Sequence, residues 1–294
     1  MKKKTAVIYL NGNYVNWDRA TLSVHDRGLL YGEGIFETMR SYEGTVFMLD
    51  EHLKRLFESM KTAGIPQVLS KSRIKDAVYK TLVLNKLKNA YIRLTVTGGA
   101  SGTGLFSKSK SRPNIFIIAR ALAPFGEKVY NTGIKAIICK VRQNETSAVC
   151  GIKSLGYLER SLIAKELNLK KAQDAILLNT KGYVAEGLTS NIFLLKNDIL
   201  ITPSVESGIL PGITRQVVLE LAPKLGLKTS AQKVKVQDMQ KAREVFLTNS
   251  IREIIPVVSI DSKPVGDGKP GEITRAIHQM YRDAVSKYSK NRRR

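Results

Sequence analysis

The chain has 294 residues, 43% of them hydrophobic and 25% charged, with 48 Lys+Arg against 25 Asp+Glu for a formal charge of +23. That length buries roughly three quarters of the unfolded surface and accommodates one or two domains. The composition excludes a mainly disordered or collagen-like chain, and no apolar run approaches the roughly 18 residues of a membrane span.

The basic residues run from Lys2 to Arg294 without zinc-finger spacing, a basic zipper or an RNA-binding signature. A solvated basic surface is the expectation, with no specific nucleic-acid partner and no membrane. Asn11, Asn13 and Asn16 follow Met1-Lys2-Lys3-Lys4 too soon for a signal peptide's apolar region. Cys139 and Cys150 are too few for a disulfide framework and lack metal-ligand partners, so a reducing cytoplasm and no metal are expected.

In chain order, Ala6–Leu10 and Tyr14-Val15 flank Asn11-Gly12, a hairpin signal, and Glu43-Gly44 repeats the pattern between Thr38–Tyr42 and Thr45–Leu49. Asp50 reads as the N-cap of a helix to about Ala63, with Leu53, Leu56, Phe57 and Met60 on one face. Lys71–Leu84 reads as a second helix, and Ala90–Thr97 and Ile115–Ala119 as strands. Pro124-Phe125-Gly126 is the linker candidate. Beyond it, Ile134–Val141, Ala175–Leu178, Val184–Glu186, Ile192–Leu195 and Glu244–Leu247 read as strands, with Asn197-Asp198 as a hairpin turn. Leu155–Leu167, Thr214–Leu225 and Thr274–Tyr288 read as helices. Strands and helices intersperse without strict βαβ alternation, which gives a mixed α+β chain of two domains. The predicted boundaries are a small domain over 1–122, a linker over 123–128, a larger domain over 129–288 and a disordered basic tail over 289–294.

Thr97-Gly98-Gly99-Ala100-Ser101-Gly102-Thr103-Gly104 has the glycine spacing of a dinucleotide-phosphate loop, which would make the protein an NAD(P)-dependent short-chain dehydrogenase. Leu105 to Pro113 does not continue as the helix such a loop must open, and no tyrosine has a lysine four residues on. A loop without a cofactor is the preferred reading.

Four other stretches carry chemistry. The first runs from Asp26 to Arg40, with Phe36-Glu37-Thr38, and His52-Leu53-Lys54-Arg55 follows it. The second is Gly151-Ile152-Lys153-Ser154-Leu155-Gly156-Tyr157, and the third is Tyr183-Val184-Ala185-Glu186-Gly187 through Phe193. The last comprises Gly208-Ile209-Leu210-Pro211-Gly212-Ile213-Thr214 and Thr248-Asn249-Ser250. Taken alone, Lys153 is a surface lysine in an uncharged context, where desolvation would favour its neutral, nucleophilic form. Glu186 is a turn carboxylate and Tyr157 a helix-face aromatic. Ile213-Thr214 opens a helix whose N–H groups and dipole suit an anion, with Thr214 as a candidate N-cap.

Together, in this order and over about Tyr9 to Tyr281, these motifs resemble the class IV, D-amino-acid-transaminase-like family of pyridoxal-phosphate enzymes. The resemblance implies that family's two-domain fold, with the active site at the domain interface, and a homodimer or higher oligomer. It implies a Schiff base between Lys153 and pyridoxal 5'-phosphate, and a contact from Glu186 to the ring nitrogen. It implies a hydrogen bond from Tyr157 to the ring 3-oxygen, and cofactor contacts from Arg55, Leu210, Ile213, Thr214, Asn249 and Ser250. Tyr31, Phe36, Thr38, Tyr91 and Arg93 would face the amino-acid or 2-oxo-acid substrate. His52 reads as structural, and His25 and His278 have no evident partner in the sequence.

Within that family, branched-chain aminotransferases carry Gly at the position of Thr38 and Gly-Thr-Ala at Thr248-Asn249-Ser250. Aminodeoxychorismate lyases often have the residues seen here. Tyr91-Ile92-Arg93 and Gly266 to Arg275 look instead like the aminotransferases. The expectation is therefore an aminotransferase of branched-chain type working with 2-oxoglutarate, with 4-amino-4-deoxychorismate lyase as the alternative.

Overall fold

A computed structural model describes residues 6–102, 104–106, 111–123 and 126–292. The chain divides into two units. The first comprises residues 1–123 with Ile152–Gly156 and Ser286–Arg294, and the second comprises residues 124–151 with Tyr157–Val285. The predicted linker falls partly outside the described residues.

In the first unit, β1 (Val7–Leu10) and β2 (Asn13–Asn16) form the predicted hairpin about Asn11-Gly12. A short helix, α1 (Arg27–Tyr31), starts at Asp26, whose carboxylate accepts from the Gly28 N–H at 2.7 Å. Next come β3 (Gly34–Tyr42), β4 (Thr45–Val46), α2 (Leu49–Thr62), α3 (Lys71–Leu84), β5 (Ala90–Thr97) and β6 (Ile115–Ala121). All pairings in the six-stranded sheet are antiparallel, in the order β2-β1-β6-β5-β3-β4. Alternation along β3 sends Ile35, Glu37 and Met39 to the face packed by Leu53 and Leu56 of α2, and leaves Phe36 and Thr38 on the other.

The second unit contains α4 (Glu127–Thr132), β7 (Ile134–Gln143), α5 (Leu158–Leu169), β8 (Asp174–Asn179), β9 (Val184–Gly187), β10 (Asn191–Lys196) and β11 (Ile199–Pro203). It continues with α6 (Ile213–Leu221), β12 (Lys228–Gln232), α7 (Val236–Gln240), β13 (Glu244–Asn249), β14 (Glu253–Ile260), β15 (Lys263–Pro264) and α8 (Glu272–Asn291). Its mixed nine-stranded sheet runs β12-β11-β10-β13-β14-β7-β8-β9, with β15 on β14. Asn197 and Asp198 both take positive φ, as a two-residue hairpin with the favoured twist requires. Among the described residues, no helix is long and apolar enough to cross a membrane.

Four expectations need correction. Asp50 is not an N-cap. The helix begins after Met48, which takes φ 52, and the Asp50 carboxylate is drawn to Lys75 at 2.5 Å and Arg292 at 3.0 Å. The helix expected from Leu155 starts only at Leu158, because Leu155 donates its N–H to the Gly34 carbonyl at 2.9 Å. The tail expected to be disordered from 289 is helical to Asn291, with Arg292 held by Asp50, and 293–294 lie outside the described residues. His278 does have a partner, Glu253, with Nε2 to Oε2 2.8 Å.

Within the glycine-rich loop, Gly99 has a packing reason to be glycine. It takes φ +78, and a Cβ there would fall on the backbone carbonyl of Arg112. The glycine serves close backbone approach.

Candidate active site

Residues 153–155 run antiparallel to the start of β3. The Phe36 N–H donates to the Lys153 carbonyl at 2.9 Å, and Ile35 bridges Ser154. This pairing fixes the Lys153 backbone and brings its Nζ to 4.7 Å from the centre of the Phe36 ring. β5 delivers Arg93, the register partner of Thr38, to the same ring, with Cζ at 3.6 Å from its centre. An amine and a guanidinium therefore share one aromatic side chain. Both contacts are of the cation–π kind. Lys153, Thr38, Tyr91 and Arg93 are half-buried, whereas Tyr31 is exposed, its hydroxyl accepting from the Gly104 N–H at 3.1 Å.

On the opposite face of β3, Glu37 is 1% exposed and Arg55 9%. Arg55 Nε reaches Glu37 Oε1 at 2.8 Å and Nη2 reaches Oε2 at 2.7 Å, while His52 Nδ1 lies 2.7 Å from Oε2. Burial opposes ionisation of Glu37, but Arg55 and then His52 outweigh it and hold the carboxyl down to about 2. Burial pushes the His52 imidazole below its ordinary value despite Glu37. His52 thus buttresses the buried Glu37 carboxylate.

In the second unit, Glu186 lies on β9, 4% exposed. Its Oε1 accepts from Arg160 Nη2 at 2.7 Å and its Oε2 from the Leu210 N–H at 3.0 Å. Asn191 holds the next turn by donating to the Leu210 carbonyl at 2.8 Å. Gly212 then caps α6 with no side-chain partner for the helix's first N–H groups. A Cβ at Gly212 would strike Asn191 Oδ1, so glycine is required by close approach. Thr214 is the second residue of α6 rather than its N-cap, and is buried. At the end of β13, Asn249 Oδ1 accepts from the Ile251 and Arg252 N–H groups, and Ser250 is half-buried. Tyr157 lies beside Arg160, whose Cζ is 5.8 Å from its ring centre.

The α6 N–H donors suit a phosphate, and the Glu186 carboxylate suits a protonated ring nitrogen as its acceptor. The first N–H groups of α6 have no intrahelical acceptors, and the helix dipole favours an anion there. The hydroxyls of Thr248 and Ser190 are buried, at 2% and 6% exposure, without a hydrogen-bond partner among the described residues. Such orphans are rare unless a ligand or water completes them. Arg160 escaped the sequence reading because its partner lies 26 residues away and no local pattern marks the pair.

Comparisons with known proteins agree with this chemistry. The family model for amino-transferase class IV matches residues 34–260. A Methanocaldococcus jannaschii protein named "Putative branched-chain-amino-acid aminotransferase" is 41% identical over 283 residues, covering 96% of this chain and 97% of that one. The aminodeoxychorismate lyase of Bacillus subtilis is 34% identical over 281 residues, 95% and 94% of the two chains. A solved T.th. branched-chain amino acid aminotransferase with pyridoxamine 5'-phosphate superposes with a TM-score of 0.91 at 28% identity, covering 96% of this chain and 94% of that one. The chain belongs to the class IV aminotransferases, a family of pyridoxal-phosphate-dependent enzymes.

Proposed function

We propose that the protein transfers the amino group of a branched-chain type of amino acid to 2-oxoglutarate. The observation that carries this reading is the Phe36 ring flanked by the Lys153 amine and the Arg93 guanidinium, at 4.7 and 3.6 Å. An amine that condenses with carbonyls, beside a cation that fits a carboxylate, is what an amino-acid or 2-oxo-acid site needs. The branched-chain side chain is carried over from the relatives named above.

Pyridoxal phosphate, when bound, supplies an aldehyde that condenses with amines and a ring that accepts the electron pair left at the substrate α-carbon. Lys153 would hold it covalently, and its amine is placed to move a proton to and from that carbon. Glu186 keeps the proton on the ring nitrogen, and Leu210 steadies Glu186 through its N–H. The Tyr157 hydroxyl donates to the ring 3-oxygen. Arg55, the N–H groups of Ile213 and Thr214, and the Asn249-Ser250 turn bind the phosphate. Tyr31, Phe36, Thr38 and Tyr91 shape the substrate's surroundings, and Arg93 takes its carboxylate.

A second reading, release of pyruvate and 4-aminobenzoate from aminodeoxychorismate, is favoured by Thr38 and by Thr248-Asn249-Ser250. Incubation with L-leucine plus 2-oxoglutarate, and separately with aminodeoxychorismate, separates the two by glutamate in one mixture or pyruvate in the other. Borohydride reduction of the yellow protein should fix label at Lys153. A protein that takes up no pyridoxal phosphate sinks both readings.

A second copy of the chain completes the proposal, supported by exposed apolar side chains of the first unit such as Val24, Leu29 and Phe106. Light scattering at the mass of a single chain would refute it. A cytoplasmic location is supported by the free thiols of Cys139 and Cys150.

A further inference from the structure

We infer that Arg160 is a positioning residue that aims Glu186 and balances its charge, so that the proton held at the cofactor ring is set by an Arg160–Glu186 pair rather than by Glu186 alone. The inference rests on the cofactor reading above and goes beyond it in assigning Arg160.

Four observations carry it. Arg160 stands one helical turn after Tyr157, at the start of α5, and its Nη2 meets Glu186 Oε1 at 2.7 Å. Its Nη1 donates to the Leu188 carbonyl, and its Nη2 also reaches Gln143 Oε1 at 3.4 Å. The guanidinium is thereby tied to Glu186, to the chain two residues beyond it and to β7. The other Glu186 oxygen is taken by the Leu210 N–H, so both oxygens are oriented by protein donors before any ligand arrives. Finally, a carboxylate this deeply buried is costly without a counter-charge, and Arg160 supplies one.

The surrounding titratable groups do not take over that role. Tyr157 and Glu159 act on Arg160, and Glu186 acts on the Cys150 thiol, which burial pushes up. Burial disfavours the charged Arg160, but Glu186 outweighs it and raises the guanidinium above its ordinary value.

Removing a positive charge beside the site raises the proton affinity of every group near it. In cofactor-loaded Arg160→Gln, the midpoint of the absorbance-against-pH titration of the bound cofactor should therefore move up by about one unit. Loss of aim at Glu186 should weaken uptake of pyridoxal phosphate by the apo-protein about tenfold, as one charge-assisted hydrogen bond allows. Arg160→Lys keeps the charge and should return the midpoint toward wild type, while restoring affinity only in part because Lys cannot fork between Glu186 and Leu188. A folded, loaded Arg160→Gln protein with an unmoved midpoint overturns the inference and leaves the cofactor reading intact. A Lys variant shifted as far as the Gln variant also overturns it, since charge would then not be the cause. Wild-type protein that takes up no pyridoxal phosphate overturns the cofactor reading, and this inference with it.

Discussion

Arg55 forks onto Glu37 through two hydrogen bonds of 2.8 and 2.7 Å, and His52 adds a third at 2.7 Å to the same carboxylate. Ionised Glu37 can only accept, so His52 must carry its hydrogen on Nδ1. The triad ties α2 to β3 directly beneath the strand face that bears Phe36 and Thr38.

This triad predicts an acid-sensitive fold. Glu37 is held at about 2 against an ordinary 4.5. A carboxyl depressed on folding contributes stability that is fully present above pH 4.5 and is lost as the pH falls from 4.5 toward 2. His52, depressed by burial, acts in the same direction, its loss beginning as the pH falls below the ordinary histidine value of 6.5. Glu37→Gln should cost on the order of 3 kcal/mol at pH 7 and flatten the acid limb between pH 4.5 and 2. Urea melts at several pH values test this, and equal pH slopes in both proteins would count against it.

Gly212→Ala places a methyl group on Asn191 Oδ1, the side chain that holds the Leu210 carbonyl. The turn before α6 must then shift, and with it the N–H groups proposed to hold the phosphate. Affinity of the apo-protein for pyridoxal phosphate should fall about tenfold, or about 1.4 kcal/mol. Fluorescence titration reads this directly, and unchanged affinity would move the phosphate site elsewhere.

How much of this was legible beforehand depended on how local each signal was. α3 and β5 match their sequence bounds, because the inward Ile74, Val78 and Leu82 repeat at helical spacing and alternation within Ala90–Thr97 marks the strand; the Ser70 cap of α3 emerges only in the structure. α2 was misplaced at its start because the positive φ of Met48 leaves no compositional mark, while Asp50 has the chemistry of a cap but is drawn to distant cations. Lys153 stood out through its neighbours, yet its strand-like pairing with Phe36 spans more than a hundred residues and shows no periodicity. Glu186 was identified by motif, and its two fixed donors, Arg160 and the Leu210 N–H, emerged only with the tertiary fold.

Glu186→Gln keeps the shape of the side chain and removes its charge. The fold should survive and the protein should still load at saturating cofactor, though with weaker affinity as in Arg160→Gln, while turnover falls at least about tenfold, equivalent to about 1.4 kcal/mol in the barrier. Steady-state rates at saturating substrate test this, and unchanged rates would show that another carboxylate serves the ring nitrogen.

Thr38 is where the two functional readings part. It is half-buried on β3, two residues from Phe36 on the same face and opposite Arg93 on β5. If the protein is an aminotransferase, this side chain only shapes the substrate's surroundings. Thr38→Gly would then enlarge that space toward the branched-chain pattern and leave amino transfer intact or improved for bulky side chains. If it is the lyase, the hydroxyl assists proton transfer in the elimination of pyruvate, a contribution of about 10²–10⁴-fold. Thr38→Gly would then abolish pyruvate release while cofactor uptake, read from absorbance, persists. Thr38→Ser keeps the hydroxyl and should restore the lyase, whereas the aminotransferase should be indifferent to it. Rates of glutamate and pyruvate formation across the three proteins decide the matter. If neither substitution alters either rate, Thr38 is a packing residue of β3, and its identity says nothing about which reaction the enzyme performs.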